Sequence, residues 1–331
     1  MMNWLVALLL VAGSVVAMEN PFGDWEGTRK SPDGKESKLC AQVIDWGDGN
    51  FQANILERFD TRDPKLCVLQ GKRHGQRVEF TGKTEKGKLK GTEWSATIDL
   101  EAETFTGRFQ GAASGTFALK KVVRLSPTLG AKPPEGAIVL FDGTSLKEWV
   151  HRNGAPCHWK LIPEEKAMEV RGGGIISKRK FRDHKVHLEF RTPFKPKARG
   201  QGRGNSGVYL QGRYEVQVLD SYGLEGRSNE CGGIYGVGAP RVNMCAPPLQ
   251  WQTYDIVFRA PRFDEKGKKI ENARMTVRHN GVLIHENVEV PRPTTAHWGG
   301  DPKEPGGLHL QDHGNPVQYR NIWVVELKDK D

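Results

Sequence analysis

Past its first seventeen residues, this 331-residue chain has no apolar run approaching the roughly 20 residues that a membrane-spanning helix needs. Stable membrane insertion is therefore not expected. The chain has no CxxC pair and no His/Cys spacing of the zinc-binding kind, which removes the common structural zinc modules. Stretches that hold a helical apolar period for long are scarce, which argues against a helical bundle. A net charge of +9 comes without the motif of any RNA- or DNA-binding module. Basic and acidic residues alternate instead, as in Lys83-Thr84-Glu85-Lys86 and Asp264-Glu265-Lys266, the pattern of a solvated mixed surface. No nucleic-acid partner is expected. Gly172-Gly173-Gly174 lacks the following helix and lysine of a phosphate loop, and reads as a turn between strands.

What is present begins with an apolar run from Trp4 to Ala12, followed by Gly13-Ser14-Val15-Val16-Ala17. Compact residues at Val15 and Ala17 suit a signal-peptidase site, so residues 1–17 are expected to be removed and the protein exported to a periplasmic or extracellular space. Five cysteines suit an oxidising compartment. Cys231 and Cys245 bracket one glycine-rich loop and are expected to be joined, since a bridge would pin a segment that lacks regular structure.

Proline and glycine cluster between Ser126 and Gly136, marking a linker over residues 126–136. Before it, over 18–125, short mixed runs such as 41–44, 51–56, 78–81 and 104–109 are bounded by turn residues, which predicts a small antiparallel β-barrel or sandwich. Trp25, Trp46 and Trp94 fit the core of such a domain better than a sugar-stacking platform. After the linker, over 137–331, the runs 186–190, 207–211, 214–219, 253–258, 273–277, 308–311 and 322–327 read as strands. His279-Asn280-Gly281-Val282 supplies a hairpin turn. The fold class is all-β, with a sandwich or jelly roll in the C-terminal portion.

Side chains in a strand alternate faces, and three strands put ionisable groups on the face opposite the apolar one. They pair Glu215 and Gln217 against Val216 and Val218, and His309, Gln311 and His313 against Leu308 and Leu310. The third pairs His187, Glu189 and Arg191 against Val186, Leu188 and Phe190. Such a concentration of Glu, Gln and His, flanked by Asn205 and Arg320, points to a polar cleft for a hydroxylated ligand. Asp220 ends one of these strands, either as a turn former or as a ligand of sugar hydroxyls or a cation. Ca2+ held by carboxylates and backbone oxygens stays open, although no metal-loop motif is present.

Several segments carry a resemblance. Leu140-Phe141-Asp142-Gly143-Thr144, Gly204-Asn205-Ser206-Gly207-Val208-Tyr209 and Tyr214-Glu215-Val216-Gln217-Val218-Leu219-Asp220 come first. Gly232-Gly233-Ile234-Tyr235-Gly236, Trp251-Gln252-Thr253-Tyr254, Leu310-Gln311-Asp312-His313-Gly314 and Tyr319-Arg320-Asn321-Ile322-Trp323 follow in order. Over about residues 136–328 the chain resembles the 3-keto-disaccharide hydrolase family. The resemblance implies a concanavalin-like sandwich and chemistry on carbohydrates oxidised at C3. For that chemistry Glu215, which projects from a strand with no apolar role, is expected as base, and His313, a side chain that can titrate near working pH, as acid or enolate donor, with Asn205, Gln217, Asp220, Gln311, Arg320 and Glu189 binding substrate. Tyr235 and Trp298 are expected to stack on a sugar ring or to pack a loop. Two other readings remain at this point. A glycan-binding module would need no catalytic Glu215, and a conventional glycoside hydrolase would need a second carboxylate such as Glu189 or Asp220.

Overall fold

A computed structural model of the chain describes residues 20–328, so the expected signal peptide at 1–17 lies outside the described residues. Eight strands form a closed antiparallel barrel: Gly23–Lys30, Glu36–Gly47, Asn50–Leu56, Cys67–His74, Arg77–Lys83, Glu93–Asp99, Thr104–Gln110 and Gly115–Val122. Each pairs with the next, and the last closes on the first. Alternation sets the interior. In Arg77–Lys83 the side chains of Val78 and Phe80 point in, and in Glu93–Asp99 those of Trp94, Ala96 and Ile98 do so. Trp25, Phe105, Phe109 and Phe117 complete an aromatic filling. Gly71 is needed for it, because a methyl group there would sit 2.4 Å from the Phe80 ring.

The C-terminal portion is a two-sheet sandwich. The smaller sheet runs Trp149–His151, Ile175–Ser177, His309–Leu310, Ser206–Leu210, Tyr214–Val218. The larger runs Lys160–Ile162, Ala167–Glu169, Gln318–Glu326, His184–Arg191, Gln252–Arg259, Ala273–His279, Val282–Val290, with Ile138–Phe141 also paired to Gln318–Glu326. Between them lie Ile175, Val208, Val216 and Leu310 from one side, and Leu188, Phe190, Ile256 and Met275 from the other. Each sheet therefore keeps an outer face on which the polar alternate residues stand.

The segment between the two units is irregular, yet it is fastened along the outer face of the larger sheet. Ser126 Oγ is 2.6 Å from Thr253 Oγ1, Thr128 Oγ1 donates to Asp255 (2.7 Å), and the Gly130 N–H donates to Glu189 (2.6 Å). Barrel and sandwich also meet directly. Ile44 of the barrel joins the sandwich core, Tyr222 Oη donates to Asp24 (2.6 Å), and Asn54 Nδ2 donates to the Gly223 carbonyl (2.8 Å). Arg62 donates to the carbonyls of Gly226, Pro240 and Arg241.

Those bonds bear on the cysteine expectation. All five cysteines are free thiols in this structure, so the expected Cys231–Cys245 bridge is not formed in it, although the two thiols stand within hydrogen-bond reach of each other. Cys231 Sγ lies 3.2 Å from Tyr254 Oη, and Cys245 Sγ donates to the Leu219 carbonyl (3.3 Å). The loop they bracket is pinned by Arg62 and by Asn243, which donates to Ser221 O, rather than by a covalent link. Among the described residues no helix is long and apolar enough to cross a membrane.

Candidate active site

The register of the smaller sheet assembles the site. Gly207 stands opposite Gln217, and Tyr209 opposite Glu215 on one side and opposite His309 on the other. Because Val208, Val216 and Leu310 face the core, Tyr209, Glu215 and His309 form one row on the outer face. Gln311 follows His309 just past the strand. Its N–H donates to the Gly207 carbonyl (2.9 Å) and its side chain to Tyr209 Oη (3.2 Å). Asn205 precedes the strand on the same alternate positions as Gly207 and Tyr209. Two glycines make room for this row. A methyl at Gly207 would lie 2.4 Å from Glu215 Oε1, and one at Gly174 would lie 2.9 Å from His309 Nε2.

Glu215 is 2 % exposed and has no cationic partner. Burial pushes its carboxyl up to about 8, opposed only by the interaction with the Tyr209 hydroxyl. His309 is stacked between Trp298 (ring centroids 3.9 Å apart) and Tyr209 (4.7 Å). Burial, with a smaller contribution from the charge of Arg152, holds its imidazole down to about 3, so it is neutral at working pH. Neither ring nitrogen of His309 has a hydrogen-bond partner within the protein. The same is true of Asn205 Oδ1 and Gln217 Oε1, although their amide nitrogens both donate to Gln201 Oε1, at 3.0 and 2.9 Å. Buried polar atoms are nearly always satisfied. Four unsatisfied atoms on three residues of one face, beside a carboxyl with a raised proton affinity, describe a surface that hydroxyl and carbonyl groups of a ligand would complete.

Of the residues singled out from the sequence, Glu215, Gln217, Asn205 and Gln311 are brought together on this face. Tyr235 lies at its border: its N–H donates to the Glu215 carbonyl (3.3 Å), and its side chain is half-buried. Glu189, Arg320 and Asp220 are corrected. Glu189 and Arg320 are on the outer face of the opposite sheet, bonded to each other at 2.6 Å. Glu189 is also held by Asn321 Nδ2 (2.9 Å) and by the Gly130 N–H. Burial alone would raise its carboxyl, but the hydrogen bonds from His187, Asn321, Arg320 and Gly130 outweigh it and bring the value to about 2. A pocket of about 480 Å3 opens beside this pair, but the carboxylate at its wall is already saturated by protein donors. Asp220 is spent in a buried ion pair with Arg203 (2.7 Å). His313 is exposed and its side chain has no partner. The strand ends at Leu310, so the alternation that put His313 with Glu215 does not extend to it. Trp298 stacks on His309 rather than standing free.

Sequence reasoning missed Tyr209, His309 and Gln201 as members of the site. His309 sits at the alternate position next to Gln311 and was visible as a polar-face residue. Nothing in a linear pattern marked Gln201, which arrives from a loop. Among the described residues no group of three or more His, Cys, Asp or Glu side chains could hold a metal ion.

Comparison with known proteins adds three findings. The model of the 3-keto-alpha-glucoside-1,2-lyase-like domain family matches residues 136–325, which begin after the barrel and include the whole row around Glu215. A solved protein of Parabacteroides distasonis ATCC 8503, described as a "putative glycosyl hydrolase", is 37 % identical with a TM-score of 0.53, over 59 % of this chain and 85 % of its own. A second protein so described from that organism is 19 % identical with a TM-score of 0.44, over 59 % of this chain and 95 % of its own. No curated protein matches the chain. With more than half its length matched, and the sandwich and its glutamate row lying inside that match, the chain belongs to the family of 3-keto-α-glucoside-1,2-lyase-like domains.

Proposed function

We propose that this protein is an exported carbohydrate-active enzyme that cleaves the glycosidic bond of 3-keto-glycosides through the outer face around Glu215. The observation that supports it most is a buried carboxyl whose proton affinity is raised to about 8, with no cation beside it, among acceptors and an imidazole that lack partners. A ketone at C3 acidifies the C2–H. Ionised Glu215 takes that proton, and the C–H electron pair becomes the enolate of C2–C3–O. Collapse of the enolate expels the C1 substituent with its bonding pair, and the leaving oxygen takes up a proton. The product is an unsaturated ketone with a C1=C2 bond. Addition of water across that bond, hydroxyl to C1 and proton to C2, completes hydrolysis; without it the reaction is that of a lyase.

The roles follow from the chemistry of each group. Neutral His309 can offer an N–H to developing negative charge without carrying a charge of its own. The free oxygens of Asn205 and Gln217 accept from sugar hydroxyls, which orients the ring. Gln311 fixes the Tyr209 hydroxyl, which in turn meets the Glu215 carboxyl. A conventional two-carboxylate glycosidase is less well supported, because Glu189 stands on the opposite sheet and Asp220 is locked to Arg203.

Incubating the purified protein with a 3-keto-glucoside and with its unoxidised parent tests this. Release of aglycone from the oxidised sugar alone is expected, and equal cleavage of both would overturn the proposal. Export is tested by the mass of the mature protein from its host: a start near Met18 is expected, and retained Met1 on cytoplasmic material would contradict it.

A further inference from the structure

Gln201 is the one protein group that holds both Asn205 and Gln217 by their amide nitrogens. It stands in the short 3-10 turn Gly200–Gly202, within a loop fastened on one side to the sandwich, through Asn229, Asn315 and Asp220, and on the other to the barrel. The Asp45–Asn50 turn region of the barrel reaches this loop with backbone and ring alike. Arg199 donates to the Trp46 carbonyl (2.9 Å), and Arg203 donates to the Asp45 carbonyl (3.2 Å). Both guanidinium groups lie over the Trp46 indole, at 4.4 and 5.0 Å from the ring. Lys197 pairs with Asp48 at 2.6 Å. Arg203 then ties the loop back to Asp220 at the end of the Glu215 strand. Barrel turn, arginine pair, Gln201 and the two substrate-facing amides thus form one continuous chain of contacts.

We propose that the barrel is a positioning device for the substrate-binding loop, with Trp46 as its central positioning residue. The inference rests on the reading of the Glu215 face as the reaction site. It gives a role to a barrel whose interior is filled with aromatic side chains and which is docked at this edge of the sandwich. Gln201 Nε2 donates to the Asn229 carbonyl (2.7 Å), which sets its amide plane, while the position of its backbone follows the turn that the flanking arginines hold. The indole fixes them by stacking, and the carbonyls of Asp45 and Trp46 fix their direction. Because Gln201 orients binding groups and not the base, its displacement should weaken substrate binding more than the chemical step.

The test uses the full chain with Trp46→Ala, Trp46→Phe and Arg199→Ala, none of which alters a residue of the site. Hydrogen exchange at the Gly202 and Arg203 amides, which close the turn on Arg199 and Gly200, reads loop order without any substrate. Trp46→Ala and Arg199→Ala should speed that exchange about tenfold or more while the strands of both units stay protected. With a 3-keto-glucoside, both should raise KM about fivefold or more with kcat within about threefold, and Trp46→Phe should restore most of the affinity. Unchanged exchange in both variants overturns the proposal, as does a loosened loop with unchanged KM. A wild-type protein inactive on the 3-keto sugar would refute the assigned reaction. The exchange comparison would still decide whether the barrel braces the loop.

Discussion

Two glutamates, 1 % and 2 % exposed, stand on the outer faces of opposing sheets, and their carboxyls are driven in opposite directions. Glu189 has an arginine, an asparagine, a histidine and a backbone N–H around it, and is held down at about 2. Glu215 meets one tyrosine hydroxyl and is pushed up to about 8. Burial acts alike on both, so the supply of donors decides the outcome. A saturated carboxylate is mortar: Glu189 fastens the inter-unit segment through Gly130. An unsaturated one keeps its basicity for something that arrives later.

The largest effects should separate the pair. Glu215→Gln keeps shape but cannot accept a proton, and should lower kcat about 1,000-fold or more with binding of a 3-keto-glucoside retained. Glu189→Gln should leave kcat within about threefold and cost about 2–4 kcal/mol of stability, since it leaves Arg320 and the Gly130 N–H without their charge partner. Steady-state kinetics and denaturant titration of both variants check this. A loss of turnover confined to Glu189→Gln would reverse the assignment.

His309→Phe sharpens the comparison by keeping the stacked ring and removing both nitrogens. It should lower kcat about 100-fold with little change in stability, because those nitrogens bond nothing in the protein. A variant with full turnover would leave His309 as packing.

The two carboxyls should also give opposite pH slopes. Glu189, depressed to about 2, contributes stability that is present above its ordinary value of 4.5 and lost as pH falls toward 2. Glu215, raised to about 8, binds its proton more tightly when folded. Its contribution is present below 4.5 and is lost as pH rises from there to about 8. Glu215→Gln should therefore match the wild type near pH 4 and exceed it near pH 9 by a few kcal/mol, on the order that a shift of this size implies. In the wild type, kcat/KM should rise with pH to a plateau above about 8, where the base is ionised. A flat difference between the two proteins from pH 4 to 9 would contradict the shift.

The smallest effect is expected at His313. Exposed and without a side-chain partner, it should tolerate His313→Ala with kcat within about twofold.

This last residue shows what the sequence could and could not reveal. Strand alternation separated polar from apolar faces correctly in Tyr214–Val218 and His184–Arg191, and so brought out Glu215, Gln217 and Glu189 alike. A period of two does not say which sheet a strand enters, and two sheets have two polar faces. One face binds the inter-unit segment, while on the other a buried row keeps polar atoms without partners, a distinction made by chain crossing and not by residue type. Alternation also fails where a strand stops, so it carries no information on the direction of His313, beyond Gln311. Asp220 could not be told from a ligand-binding residue because its partner Arg203 comes from a loop with no periodic pattern. The fold class was legible because short strands, turn glycines and filled interiors are local properties; Gln201 was not, since its role exists only after a loop folds back over the sheet.

The central claim, that Glu215 is a base acting on C2–H, is tested most directly with a 3-keto-glucoside carrying deuterium at C2. Single-turnover cleavage by the wild type should be slower for the deuterated sugar and should release the deuterium to solvent, and Glu215→Gln should do neither step at a measurable rate. Cleavage that is indifferent to C2 deuteration and leaves the label in place, or that proceeds unimpaired in Glu215→Gln, would contradict the account.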